Sequence, residues 1–137
     1  MLWLTAPPLA APARAGDVIT IKMKDMPPSF EPQRVTVTAG QIVKWENDGN
    51  MVHHATNDTE AVIKASDVTA PSKAAVFDSG FMRPGETFSY TFNEAGVYKY
   101  VCAAHEASGM SGEIIVQAGP TKSASEATAD KNELARK

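Results

Sequence analysis

A single cysteine in 137 residues excludes an intrachain disulfide, because a bridge needs two thiols. Histidine is scarce as well, with three in all, so the chain has imidazoles for one small metal centre and little more. Basic clusters are missing. Lys and Arg number 13 against 16 Asp and Glu, for a formal charge of −3, which gives nucleic acid no electrostatic footprint. No apolar run reaches the length of a membrane span; the leading stretch, residues 2–10, is too short. Internal repeats are absent. What remains is 43% apolar, enough for one core, in a length that suits one domain with tails.

The two ends differ in composition from the middle. Residues 1–15 are apolar and proline-rich, and Ala13-Arg14-Ala15 fits the small-x-small pattern of an export cleavage site, although no positive region precedes the run. We read 1–15 as the remnant of an export signal or a disordered leader. Export places the protein in the periplasm, with a lumenal or extracellular site as the alternative. Residues 119–137 are rich in Ala, Ser, Thr, Lys and Glu, and Leu134 is their one large apolar side chain. Such a stretch buries too little to offset its ordering entropy, and we read it as a disordered tail. The folded domain is assigned to 16–118.

That domain reads as all-β. Strand candidates cover 18–23, 35–38, 42–47, 88–92, 98–102 and 112–117, with Gly and Asn turns such as Ala39-Gly40 and Asn93 to Gly96 between them. The clearest alternation is Phe88, Tyr90 and Phe92 on one face with Ser89 and Thr91 on the other. Short strands in this arrangement predict a Greek-key sandwich or barrel. Residues 60–70 are less strand-like and predict a short helix that Pro71 ends.

The chemistry lies near the end of the domain. Cys102, His105 and Met110 bring a thiolate, an imidazole and a thioether into nine residues. With one further histidine this is the ligand set of a type 1 copper centre. Coordination also explains why an exported protein keeps a lone thiol, which is otherwise an oxidation liability. Tyr98, Tyr100 and Cys102 share one strand face, so aromatics that point into the core carry the sulfur with them. His105 and Met110 then sit on a loop that folds back over it, with Gly109 and Gly112 supplying backbone freedom. The remaining ligand is His53 or His54. Adjacent residues on an extended segment point to opposite sides, so one of them faces the metal and the other does not.

The string Gly96-x-Tyr98-x-Tyr100-x-Cys102-x2-His105-x3-Gly109-Met110-x-Gly112-x3-Val116 resembles the C-terminal motif of plastocyanin and its bacterial relatives pseudoazurin and amicyanin, the small cupredoxins. The likeness runs from about Val18 to Val116, and Phe30, Pro32, Val35, Val37, Gly40 and Val43 resemble the early strand pair. It implies one copper per chain, held by His53, Cys102, His105 and Met110, with Met110 as the weak axial ligand. His53 follows from its place eight residues after Trp45; His54 then occupies a position where plastocyanin commonly has Asn, a residue that helps tie the two ligand loops together. Val52 and Ala104 replace two common prolines. The His-to-Met interval is similar to that of plastocyanin and pseudoazurin rather than the shorter one of amicyanin. The resemblance further implies that His105 lies near the surface, ringed by small and apolar residues, with Ala103, Ala104, Met51 and Gly109 as candidates.

The expected function is single-electron transfer between transient redox protein partners, by a monomer with no membrane span, no nucleic-acid partner and no enzymatic centre. Copper enzymes add histidine-rich catalytic sites, for which three histidines do not suffice. A periplasmic copper carrier or storage protein is the alternative, though such proteins use Met/His-rich surfaces or cysteine pairs.

Overall fold

The computed structural model describes residues 17–119; the leader reading over 1–15 and the tail from 120 on lie outside the described residues. Among the described residues seven strands form two sheets: β1 (Val18–Asp25), β2 (Pro28–Glu31), β3 (Arg34–Thr38), β4 (Gln41–Asn47), β5 (Thr87–Phe92), β6 (Gly96–Val101) and β7 (Ser111–Gln117). The first sheet runs β2-β1-β4-β5 and the second β3-β7-β6. Two pairs are parallel, β1 with β4 and β3 with β7, and the others are antiparallel.

Six of the seven strands lie where alternation placed them. The unexpected one is β2. Alternation does not reach this segment, although Phe30 and Pro32 belong to the likeness to the family's early strand pair; an edge strand tolerates Pro at its first residue, and Pro28 opens β2 opposite Asp25. Within 60–70 the expected helix is reduced to one 3-10 turn, Ala65–Asp67. The long connection between β4 and β5 also holds a second 3-10 turn, Lys73–Ala75, and isolated bridges at His53 and Thr56, and is otherwise irregular and pinned by polar side chains. Buried Asn57 donates to the carbonyls of Thr69 and Ala75 and accepts from the Phe77 amide, at 3.1, 3.2 and 2.8 Å.

Strand alternation builds the core. Val43 and Trp45 point inward from β4, Tyr98 and Tyr100 from β6, and Ile114 and Val116 from β7. Trp45 is fully buried and meets Phe77, Tyr100 and Phe88 at ring-centroid distances of 5.1, 5.4 and 5.7 Å. Gly112 is set opposite Tyr100 in the β6–β7 ladder, where a Cβ would lie 2.4 Å from both Cζ and Oη of that ring. The ring is enclosed and has nowhere to swing. Gly112→Ala is therefore expected to destabilise the fold by about 1–3 kcal/mol through overpacking. A denaturant midpoint equal to that of the native protein would show that Tyr100 has room to move.

Candidate metal centre

Cys102 follows β6 directly, and its backbone is still extended (φ −90°, ψ 111°). Its side chain therefore continues the inward face of Tyr98 and Tyr100 and is fully buried. The chain then tightens into 3-10 turns over Ala103–Ser108, with a kink at His105. Gly109 closes them at φ 84°, a left-handed conformation that glycine adopts without strain. Three backbone hydrogen bonds fold the loop onto itself: Cys102 N–H to Met110 O at 3.0 Å, His105 N–H to Cys102 O at 3.0 Å, and Met110 N–H to His105 O at 3.2 Å. Glu106 anchors it from outside by accepting the amides of Ile63 and Lys64 at 2.7 and 3.0 Å.

His53 comes from the other sheet, six residues past the end of β4. Buried Asn47 organises the intervening turn. Its amide donates to Met51 O at 2.8 Å and Met82 O at 3.0 Å, and its oxygen accepts from Gly49 N–H at 3.0 Å. His53 and Met82 then exchange backbone hydrogen bonds of 3.0 and 2.8 Å.

The two loops bring the sulfur and two imidazoles together. Cys102 Sγ lies 3.9 Å from His53 Nδ1 and 3.3 Å from His105 Nδ1, and the two rings are 5.0 Å apart. The three donor atoms fall within 4.8 Å of one another. Met110 is buried behind the loop. His54 turns the other way: its Nε2 meets Asp78 Oδ1 at 2.5 Å and its ring rests on Phe81. With His54 where an Asn was expected to tie the loops, backbone groups make the link. Thr56 and Val101 exchange two 3.0 Å hydrogen bonds, and the His54 amide faces the sulfur.

Burial pushes the Cys102 thiol above its ordinary range, partly offset by the amides of His54, His105 and Ala104. His105 is held below the usual imidazole range by burial and by its neighbour His53, so at neutral pH it is a neutral donor. It is partly exposed; in its own loop Ala104 and Gly109 are exposed and Ala103 is half-buried, and Met51 and Val52 of the loop that leads to His53 are exposed as well.

Asp25 belongs to none of the motifs read from the sequence. Its Oδ1 stands 2.8 Å from His53 Nε2, the ring nitrogen that faces away from the sulfur.

The donor set suits copper. One soft thiolate sulfur and two imidazole nitrogens lie within 4.8 Å of one another, a donor set of the kind that binds copper. A family model described as copper binding proteins of the plastocyanin/azurin family matches residues 17–117. Plastocyanin of Scenedesmus fuscus is 36% identical over 64% of this chain and 86% of its own. The chloroplastic plastocyanin of Tetradesmus obliquus is 38% identical over 64% of this chain, which spans 58% of that relative's length. Among solved structures, amicyanin from Paracoccus versutus superposes with a TM-score of 0.55 at 27% identity, over 79% of this chain and 86% of that one. A cupredoxin sandwich, a thiolate and imidazole donor set, and kinship over nearly all of the described residues place this chain in the plastocyanin/azurin family of copper-binding proteins, with copper as its cofactor.

Proposed function

We propose that His53, Cys102, His105 and Met110 hold one copper ion as a type 1 centre and that the protein carries single electrons between transient redox protein partners. The observation that carries this reading is the buried Cys102 sulfur with two imidazole Nδ1 atoms at 3.3 and 3.9 Å. Copper supplies one-electron Cu(I)/Cu(II) cycling there. Thiolate and thioether favour the reduced ion, whereas imidazole also suits the oxidised one. The chain's part is to hold one geometry for both. Cys102, His105 and Met110 are tied into a single loop, and the Asn47 hydrogen bonds fix the approach to His53. Little has to rearrange when an electron arrives.

His105 offers the exit. His105 is partly exposed, Ala104 and Gly109 of its loop are exposed, and a weak redox encounter needs only a small interface. All four ligands come from one chain, so a monomer suffices. Export to the periplasm, or to a lumenal or extracellular space, completes the reading, and the copper acts as a relay rather than as an enzymatic centre.

The full chain loaded with one equivalent of Cu(II) should show an intense thiolate-to-copper absorption band and narrow copper hyperfine splitting by EPR. A pale, ordinary spectrum would overturn the type 1 assignment. The carrier or storage reading predicts rapid loss of the ion to a competing chelator; the buried donors predict slow loss.

The raised thiol adds a second test. The Cys102 thiol is protonated at neutral pH and must release its proton to bind, whereas His105 is already neutral. Cu(I) uptake by the apoprotein is expected to release about one proton and to strengthen about tenfold per pH unit below the thiol pKa. Calorimetry in two buffers of different ionisation enthalpy counts that proton. Uptake with no proton released would remove Cys102 from the ligand set.

A further inference from the structure

Asp25 closes β1, 28 residues from His53 in sequence, and belongs to none of the motifs that mark the copper loop. Its carboxylate is nonetheless built into the site. Oδ2 accepts the Asn50 amide at 2.6 Å, and Oδ1 accepts the Met51 amide at 3.3 Å and faces His53 Nε2 at 2.8 Å. Gly49 leaves the space that the carboxylate fills, since a Cβ there would lie 2.0 Å from Oδ1. The donors come from the very loop that delivers His53.

We propose that Asp25 is a positioning residue that fixes the tautomer and orientation of His53 and, through its negative charge, lowers the reduction potential of the copper centre. The inference rests on His53 being a ligand. An ionised carboxylate only accepts hydrogen bonds, so the proton of the neutral imidazole sits on Nε2. Nδ1, which faces the Cys102 sulfur, is then left with a free lone pair for the metal. Two backbone amides and the His53 ring all face the Asp25 carboxylate, which is the surrounding of a carboxylate acting as acceptor. A carboxylate behind an imidazole makes it a more basic ligand. Greater basicity and a nearby negative charge both favour Cu(II) over Cu(I), and a centre that prefers its oxidised form has a lower potential.

The test compares the native protein with Asp25→Asn, which keeps an oxygen acceptor and drops the charge. The variant is expected to retain the blue band and to raise the potential measured by voltammetry. Loss of an outer partner changes metal affinity about 10- to 100-fold. Should that change fall on Cu(II), the shift is about 60–120 mV, at about 59 mV per tenfold for one electron. A blue variant with the native potential would overturn the proposal and leave the copper assignment standing. A native protein without a type 1 spectrum would overturn both. If Asp25→Asn does not fold, NMR of the native Cu(I) protein decides. The proposal expects a slowly exchanging, strongly hydrogen-bonded proton on His53 Nε2, and an Nε2 without a proton would refute it.

Discussion

Cys102→Ser is expected to give a folded, colourless protein. The intense band of a type 1 centre comes from charge transfer out of a thiolate, and a serine hydroxyl, hard and protonated, offers none. The fold should persist because the residue's structural contacts are made by its backbone, through Cys102 N–H to Met110 O and His105 N–H to Cys102 O. A buried hydroxyl there also meets the amides that face the sulfur, so the stability change should be about 1 kcal/mol in either direction. Absorption and EPR spectra read the first effect, and far-UV circular dichroism with a thermal melt reads the second. An intense blue band in the variant would remove Cys102 from the ligand set.

The adjacent histidines should separate just as sharply. His53→Ala deletes a nitrogen 3.9 Å from the sulfur and leaves Asp25 without its imidazole. Copper affinity should fall by more than the roughly 10- to 100-fold that loss of an outer partner costs, and the blue spectrum should be lost. His54→Ala instead deletes the contact with Asp78 and the packing on Phe81. It should keep the blue band and lower stability by about 1–3 kcal/mol, the cost of stripping a largely buried polar side chain of its partners. Copper titration followed by absorbance ranks the two. The reverse ranking would mean that the wrong imidazole has been assigned to the metal.

Both comparisons rest on features that differ in how readable they were. The trio Cys102, His105 and Met110 was legible because one loop carries all three, so sequence spacing is nearly spatial spacing. His53 was half legible. Alternation said that one of two adjacent histidines faces the metal, and only resemblance chose between them; the structure brings His53 to the sulfur and turns His54 to Asp78. The sandwich was legible in strands whose alternation is strong, such as Phe88, Tyr90 and Phe92. β2 was hidden because four residues are too few for a clear alternation, and an edge position makes its proline harmless. Asp25 left no local trace at all. It reaches His53 because β1 and β4 pair in parallel with Met23 opposite Asn47, so both strands deliver their ends to the same corner. That fact exists only in the register of the sheet.

The parallel pairing of β3 with β7 places Arg34 opposite Glu113, and among the described residues β7 is the only strand beside β3 in its sheet. A chain growing from its N-terminus therefore makes β3 long before anything exists for it to pair with. β6 bonds to Thr56 and Thr69, which precede it, but its ladder partner β7 comes after the Cys102 loop, so that loop is closed between two strands when β7 arrives. Contacts this distant in sequence form slowly, because the intervening chain must be closed before they reward it. The metal pocket is thus among the last parts of the molecule to come into being. Until β7 pairs, the enclosed pocket around the Cys102 sulfur is incomplete.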